Sequence, residues 1–513
     1  MIDVGGVAFA SLWERSVGRR ADSTFLVFER SDGTIATWTY RQFDVLASRC
    51  AATLVGLGVR KGDSVSLALT NSPAFVAVWI AALRLGAWIV PSDPMSRTPE
   101  LVEHLSRTGA RVGICSIHRL DEYRAAAGMM PVIVVDEDDG VLGEFGTARH
   151  SDWPALTPRD RAAVMFTSGT TGRPKGVVVT QANYAFAGQV MAAASELHEE
   201  HRQFVVLPLF HANAQYYSFA SAIAVGASVA LMHTFSASRF LEQAKRHGAT
   251  HASLFAAPIR MILARGATPV DGLALQHCWY AMNLADGQYE EFAALIGCRP
   301  RQLYGMTETI PAVLTDSKST PIADCMGWVS PACEVEIQGP DGIRSADGEV
   351  GEIAVRGVPG ITLFDGYLDD PETTARSFRG EWFLTGDRAV RDHAGRHWFD
   401  GRRVDVLKVS GENVSIIEVE QVLSAHPGLL EAAVIGRPDP VRDEVPVAFV
   451  VARDAAAPPT VGELREWCAQ RLSKSKQPRD ITFIDELPRT SVGKIRKFML
   501  KEDERPRAME GAS

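Results

Sequence analysis

Hydrophobic and polar positions alternate between two periods along most of the chain. Phe43, Leu46, Ala47, Ala51 and Leu54 recur at helical spacing until Gly56 and Gly58 end the run. Val65 to Leu69 then reads as a strand, Asn71-Ser72-Pro73 opens a helix over Ala74 to Leu85, and Gly86 marks the step to a strand over Ala87 to Val90. The rhythm resumes at Arg111 to Cys115 and Pro131 to Val135. It continues with a helix over Asn183 to Ser195 and strands over Gln203 to Pro208, Ala227 to Met232, Ala252 to Phe255, Cys278 to Met282 and Arg299 to Leu303. Strands alternating with helices predict an α/β fold with a largely parallel sheet.

The texture changes beyond Gly339, where turn residues multiply and strands shorten, as in Gly348 to Gly357, so a small β-rich subdomain is expected there. A short strand over Gly395 to Phe399 precedes a boundary near Asp400 to Asp405; a helix over Val414 to His426 and a strand over Ala432 to Gly436 follow. The predicted organisation is a large N-terminal α/β domain over residues 1–401, a hinge at 402–405 and a small, mobile α+β domain over 406–513.

Composition narrows the function. A chain of 513 residues exceeds what one core usually supports. The net charge of −9 argues against a nucleic-acid surface, which requires clustered cations. Seven cysteines show no CxxC pair and no metal-like spacing with histidine, which favours reduced thiols and a cytoplasmic setting. No basic, apolar leader is visible at the start. The longest apolar run, Ala74 to Val90, contains Arg84 and Gly86 and is too short to span a bilayer.

Four segments carry candidate chemistry. The first is Phe166-Thr167-Ser168-Gly169-Thr170-Thr171-Gly172-Arg173-Pro174-Lys175-Gly176, between two apolar runs. Its glycines allow close backbone approach, while hydroxyls and one ammonium offer donors to an oxyanion. The spacing is not that of a Walker loop, and Val177 to Val179 reads as the return strand of a hairpin. The second, Tyr304-Gly305-Met306-Thr307-Glu308-Thr309, combines a flat ring for a purine, a glycine turn, a hydroxyl for a phosphate and a hard carboxylate suited to Mg²⁺. The third, Trp382 to Asp387, places a carboxylate where it could accept ribose hydroxyls, just after a strand and a glycine turn. The fourth, Pro488 to Lys497, contains Lys494, a cation able to stabilise charge that develops as pyrophosphate leaves.

Together, in this order, the four segments resemble the signatures of the adenylate-forming superfamily: acyl-CoA synthetases, luciferases and peptide-synthetase adenylation domains. The resemblance implies that Thr167, Ser168, Gly169, Thr170, Thr171, Gly172 and Lys175 cradle phosphates. It implies that Tyr304, Gly305 and Met306 bind adenine and α-phosphate, and that Asp387 and Arg402 hold ribose. Thr307, Glu308 and Lys494 become the catalytic candidates, with Glu308 the ligand of Mg²⁺. ATP and a carboxylate would give an acyl-adenylate and pyrophosphate. The C-terminal domain would then swing, with Lys408 and Gly411 on the loop lining a tunnel for the thiol of CoA.

The acyl pocket implied by the resemblance is lined by His211, Gln215, Tyr216, Tyr217, Phe255, Met282, Asn283 and Ile310. Polar Asn213, Gln215 and Asn283 among aromatic residues point to a small or polar acid. Phe210-His211, Met282-Asn283-Leu284 and Gly411 to Ser415 are most similar to the crotonobetaine/carnitine-CoA ligase branch. Three features depart from the family pattern: Gln181 stands where a histidine is usual, Ala281 to Leu284 replaces a glycine-rich segment, and Val404 followed by Asp405 occupies the hinge. Rival expectations are loading of a carrier-protein thiol, adenylation of another oxyanion such as nitrite for diazotisation of an aryl amine, and a non-enzymatic binding protein. A monomer or homodimer is expected.

Overall fold

The computed structural model describes residues 2–137, 142–167, 174–317, 320–402, 406–409, 412–439, 443–474, 476–489, 495–497 and 499–500. Their architecture is α/β, built on three sheets. In the first, Trp88–Pro91, Ser64–Ala68, Val112–Ser116 and Val132–Val135 run parallel. Arg161–Thr167 adds on in parallel and forms a hairpin with Lys175–Thr180.

The helix Pro73–Leu85 is buried on every side, as its almost uninterrupted apolar sequence requires. Ser72 caps its start by accepting from the Phe75 amide, proline sits in its first turn, and Gly86 ends it at φ 66°. Its one charge, Arg84, is neutralised by Asp44 at 2.7 Å and lies 3.7 Å over the ring of Trp153. That pairing explains how a guanidinium is tolerated in this core. Around the helix, Trp79 stacks on Phe9, leans against Tyr184 and meets Phe219 edge on face, so a Trp79→Ala change would cost about 3–5 kcal/mol.

The second sheet is continuous through the middle of the molecule. Its parallel half contains Ser228–Met232, Arg202–Val205, His251–Phe255, His277–Ala281 and Arg301–Tyr304. Leu314–Thr315 pairs antiparallel with Arg301–Tyr304 and carries the sheet on to Cys325–Val329, His397–Arg402, Trp382–Arg391, Val350–Arg356 and Glu334–Gln338. The antiparallel region therefore starts before Gly339, where the sequence placed it, because Leu314 and Thr315 have already reversed the chain.

The third sheet collects Val406–Val409, Glu412–Ser415, Leu429–Asp439, Asp443–Ala452 and Asp480–Phe483. It buries Val419, Leu423, Val434, Val450 and Leu464 in a core of its own. The helix expected over Val414 to His426 is Ile416–Ser424, preceded by a strand; Ser415 sets the change by accepting from the Glu418 amide at 3.4 Å. All seven cysteines are free, and no helix of the described residues is long and apolar enough to cross a membrane.

Candidate active site

The hairpin brings Thr167 opposite Lys175, so these two residues form the base of the glycine-rich loop. Ser168, Gly169, Thr170, Thr171 and Gly172 lie outside the described residues. The base itself is clamped. The Arg107 guanidinium donates to the Pro174 carbonyl at 2.6 Å and lies 5.0 Å from the centre of the Phe166 ring. His104 stacks on that ring at 4.1 Å and pairs with the Ser92 hydroxyl at 2.9 Å. Burial pushes the His104 imidazole down to about 4, so it is neutral at pH 7.

Lys175 leads to a residue that the sequence did not single out. Its Nζ lies 4.7 Å over the ring of Tyr367, whose hydroxyl donates to Glu308 Oε1 at 3.0 Å. A phosphate-type lysine and a metal-type carboxylate therefore meet across one tyrosine. Tyr367 reaches this place by pairing with Val177, the return strand of the hairpin. Phe364-Asp365-Gly366-Tyr367 carries no local signal of that long-range pairing. Burial and the adjacent Glu308 carboxylate push the Tyr367 phenol well above its ordinary value, so it stays a donor.

The second cluster joins the purine and ribose candidates. Tyr304 ends its strand and donates to Asp387 Oδ2 at 2.8 Å; Asp387 in turn lies opposite Arg402 in the sheet. Asp387 stands within the strand Trp382–Arg391, not just after a strand as the sequence suggested, because Gly386 at φ 76° kinks the strand without ending it. Gly305 is required by space: a Cβ there would come within 2.8 Å of Ala312 Cα and 2.9 Å of the Tyr217 hydroxyl. Met306 and Thr309 close a short turn through the Met306 amide and the Thr309 hydroxyl at 3.0 Å, which holds Thr307 half-buried and Glu308 buried. Ile310 follows at φ 73°, a strained value for a β-branched residue.

On the acyl side, His211 packs against Phe210, with ring centres 4.1 Å apart. Gln215 and Tyr216, expected to line the pocket, turn their polar atoms into the core. Gln215 accepts from the Tyr184 hydroxyl and donates to the Leu209 carbonyl at 2.6 Å, while the Tyr216 hydroxyl donates to the Met165 sulfur at 3.7 Å. They brace the wall. Phe255 is half-buried at the end of its strand, and Met282 is 43% exposed at φ 70°. Asn283 accepts from Gln302 Nε2 at 3.2 Å through its side chain and from Arg260 at 2.7 Å through its carbonyl. Gln181, where a histidine is usual in the family, accepts from the Ala10 amide at 3.1 Å and donates to the Leu83 carbonyl at 2.8 Å. It ties the first helix to the buried one.

Arg402 and Lys408 lie in strands, opposite Asp387 and Asn413 respectively. Gly411, Lys494 and the expected hinge at 403–405 lie outside the described residues. A cavity of about 410 Å³ in the C-terminal unit is lined by Arg465, Lys474 and Arg479 together with Val409, Pro446 and Asp480; none of the candidate site residues borders it.

The family model for AMP-binding enzymes matches residues 13–368, and that for the AMP-binding enzyme C-terminal domain matches residues 418–494. A crotonobetaine/carnitine–CoA ligase of Salmonella enteritidis PT4 is 32% identical, over 97% of this chain and 99% of that protein. The anthranilate CoA ligase AuaEII, solved with anthranoyl-AMP, superposes with a TM-score of 0.87 at 26% identity, covering 97% of both chains. A benzoate CoA ligase from Burkholderia xenovorans LB400 superposes at 0.86 and 27% identity, over 96% of this chain and 99% of that one.

Proposed function

The chain belongs to the AMP-binding enzyme family and is an AMP-forming ligase, and from that premise we propose that it joins a small or polar carboxylic acid to the thiol of CoA through an acyl-adenylate. The observation that carries the reading is the meeting of Lys175 and Glu308 across Tyr367, beside the bonded pair of Tyr304 and Asp387. ATP laid over Tyr304, with its ribose at Asp387 and Arg402, would point its phosphates towards Lys175 and the Thr167 to Gly176 loop.

A carboxylate and a triphosphate repel each other, so positioning and neutralisation at the α-phosphorus decide the rate. Lys175 supplies charge from one side, and Lys494 is assigned the developing charge on the departing pyrophosphate. Thr307 donates to an α-phosphate oxygen. Glu308, a hard carboxylate only 4% exposed, fits Mg²⁺, which commonly takes one or two carboxylates and completes its shell with phosphates and water. Held by Glu308, the ion would neutralise phosphate charge.

In the second half-reaction, residues 402–405 act as the hinge, and Lys408 and Gly411 come to line the path of the thiol. CoA is favoured as the acceptor by the basic lining of the C-terminal cavity, where Arg465, Lys474 and Arg479 suit phosphate groups. The test is pyrophosphate release over a panel of small acids and nitrite, with and without CoA. AMP, pyrophosphate and an acyl-CoA are the expected products. Release of ADP, or turnover with nitrite and an aryl amine but no acid, overturns the reading.

A further inference from the structure

The strands His251–Phe255 and His277–Ala281 run side by side in register, pairing His251 with His277, Ser253 with Trp279 and Phe255 with Ala281. Side chains alternate across a sheet, so these three pairs share one face. On that face Trp279 joins the core that holds Tyr216, Tyr217 and Phe219, whereas Ala252, Leu254, Cys278 and Tyr280 build the core behind. The wide π-helix Asn213–Ala220 packs over the same face. Ser221, just beyond its end, accepts from Gln203, which is level with His251 at the bottom of the strands. The Asn213 end therefore lies towards Phe255 and Ala281, at the strand ends beside the nucleotide site.

Within this layer Asn213 Oδ1, Ser253 Oγ, Trp279 Nε1 and, one step further in, His277 Nε2 find no hydrogen-bond partner among the described residues. The first three residues are only 6%, 4% and 2% exposed. Native interiors leave few polar atoms unpaired, because each carries an uncompensated loss of hydration. Several gathered on facing elements of one layer offer hydrogen-bond partners to a ligand.

We propose that Asn213, Ser253 and Trp279 form the inner wall of the acyl site and select an acid whose far end carries a neutral hydrogen-bonding group, a hydroxyl or a carboxamide. The inference rests on the ligase reading above. The indole N–H can only donate, the amide oxygen can only accept, and the serine hydroxyl does either, so the complementary group both donates and accepts. None of the six paired residues is acidic, and burial holds His251 and His277 neutral, so a cationic end would be left without a partner; the one arginine level with them, Arg301 opposite Trp279 in the next strand, already donates to the Asp316 carbonyl at 3.0 Å. Ser253 and Trp279 lie two residues, about 7 Å, inward from Phe255 and Ala281, the reach of a para-substituted benzoate.

The test compares kcat/KM for pyrophosphate release with matched acids: para-hydroxybenzoate against para-methylbenzoate, ω-hydroxyhexanoate against heptanoate, and trimethylammonium-butanoate alone. The hydroxyl member of each pair should be preferred about tenfold or more. Ser253→Ala and Trp279→Phe should each erode that preference about fivefold or more, read as the ratio of kcat/KM for the two members of a pair. Ser253→Ala should also raise the Tm of the ligand-free protein, since it removes an unpaired hydroxyl. Preference for the methyl or trimethylammonium acid, equal slowing of both members, or a lowered Tm overturns the inference. So does an absence of release with all five acids, and the ligase reading survives that outcome if any other acid is turned over.

Discussion

The proposed nucleotide half of the site and the proposed acyl wall are built on opposite plans. In the first, polar side chains already hold one another: Tyr367 joins Lys175 to Glu308, and Tyr304 grips Asp387. Across the acyl wall, Gln215 and Tyr216 face the core, while Asn213, Ser253 and Trp279 keep polar atoms unpaired. A site that meets the same cosubstrate every turnover gains from being organised in advance. A site that must tell one acid from another gains from groups that only the right ligand completes.

The sharpest way to break this contrast is at the nucleotide half. Lys494→Ala should lower adenylate formation by about a thousandfold or more while sparing the reaction of pre-made adenylate with CoA, read by pyrophosphate release and thioester formation separately. Loss of both steps together would remove the role given to that lysine. Glu308→Gln should lower kcat by about a hundredfold or more, equally for every acid, because it acts on phosphates common to all of them. A change in the ranking of acids would blur the two halves into one.

Smaller effects sharpen the picture. Tyr367→Phe keeps the ring under Lys175 but removes the bond to Glu308, so kcat should fall about tenfold, with KM for the acid unchanged. Gln181→Leu should leave the Ala10 amide unpaired and the Leu83 carbonyl with only the Gly86 amide, and cost about 1–3 kcal/mol in denaturant unfolding, with the ranking of acids preserved. The smallest test is pH. Burial lowers His104 and His251 from 6.5 to about 4 in the folded chain, so the stability linked to each is present in full above pH 6.5 and drains away as pH falls towards 4. Tm should decline over that window, and His104→Gln should flatten the decline.

Much of the proposed nucleotide half could be named from the chain because its groups sit in contiguous runs that combine glycines with polar residues. Tyr304, Glu308 and Asp387 could be named that way, and the alternation of periods gave the α/β class. Tyr367 could not, since its place depends on Gly366 and Tyr367 pairing with a strand nearly two hundred positions earlier. Nor could the burial of Gln215 and Tyr216: polar and aromatic residues after Phe210-His211 suit a pocket or a core equally until the π-helix sets which way each one faces. The start of the helix at Ile416 was missed for a local reason, because Val414 has the apolar character of a first helical turn but lies in a strand beside Leu407.

The sheet that runs unbroken from Arg301–Tyr304 to Trp382–Arg391 fixes the two ends of the nucleoside grip to one stiff ribbon. A rotation of the C-terminal unit would leave that ribbon at rest. On the proposed reading AMP would then stay moored through both halves of the catalytic cycle, first as part of an incoming reagent and later as a departing one.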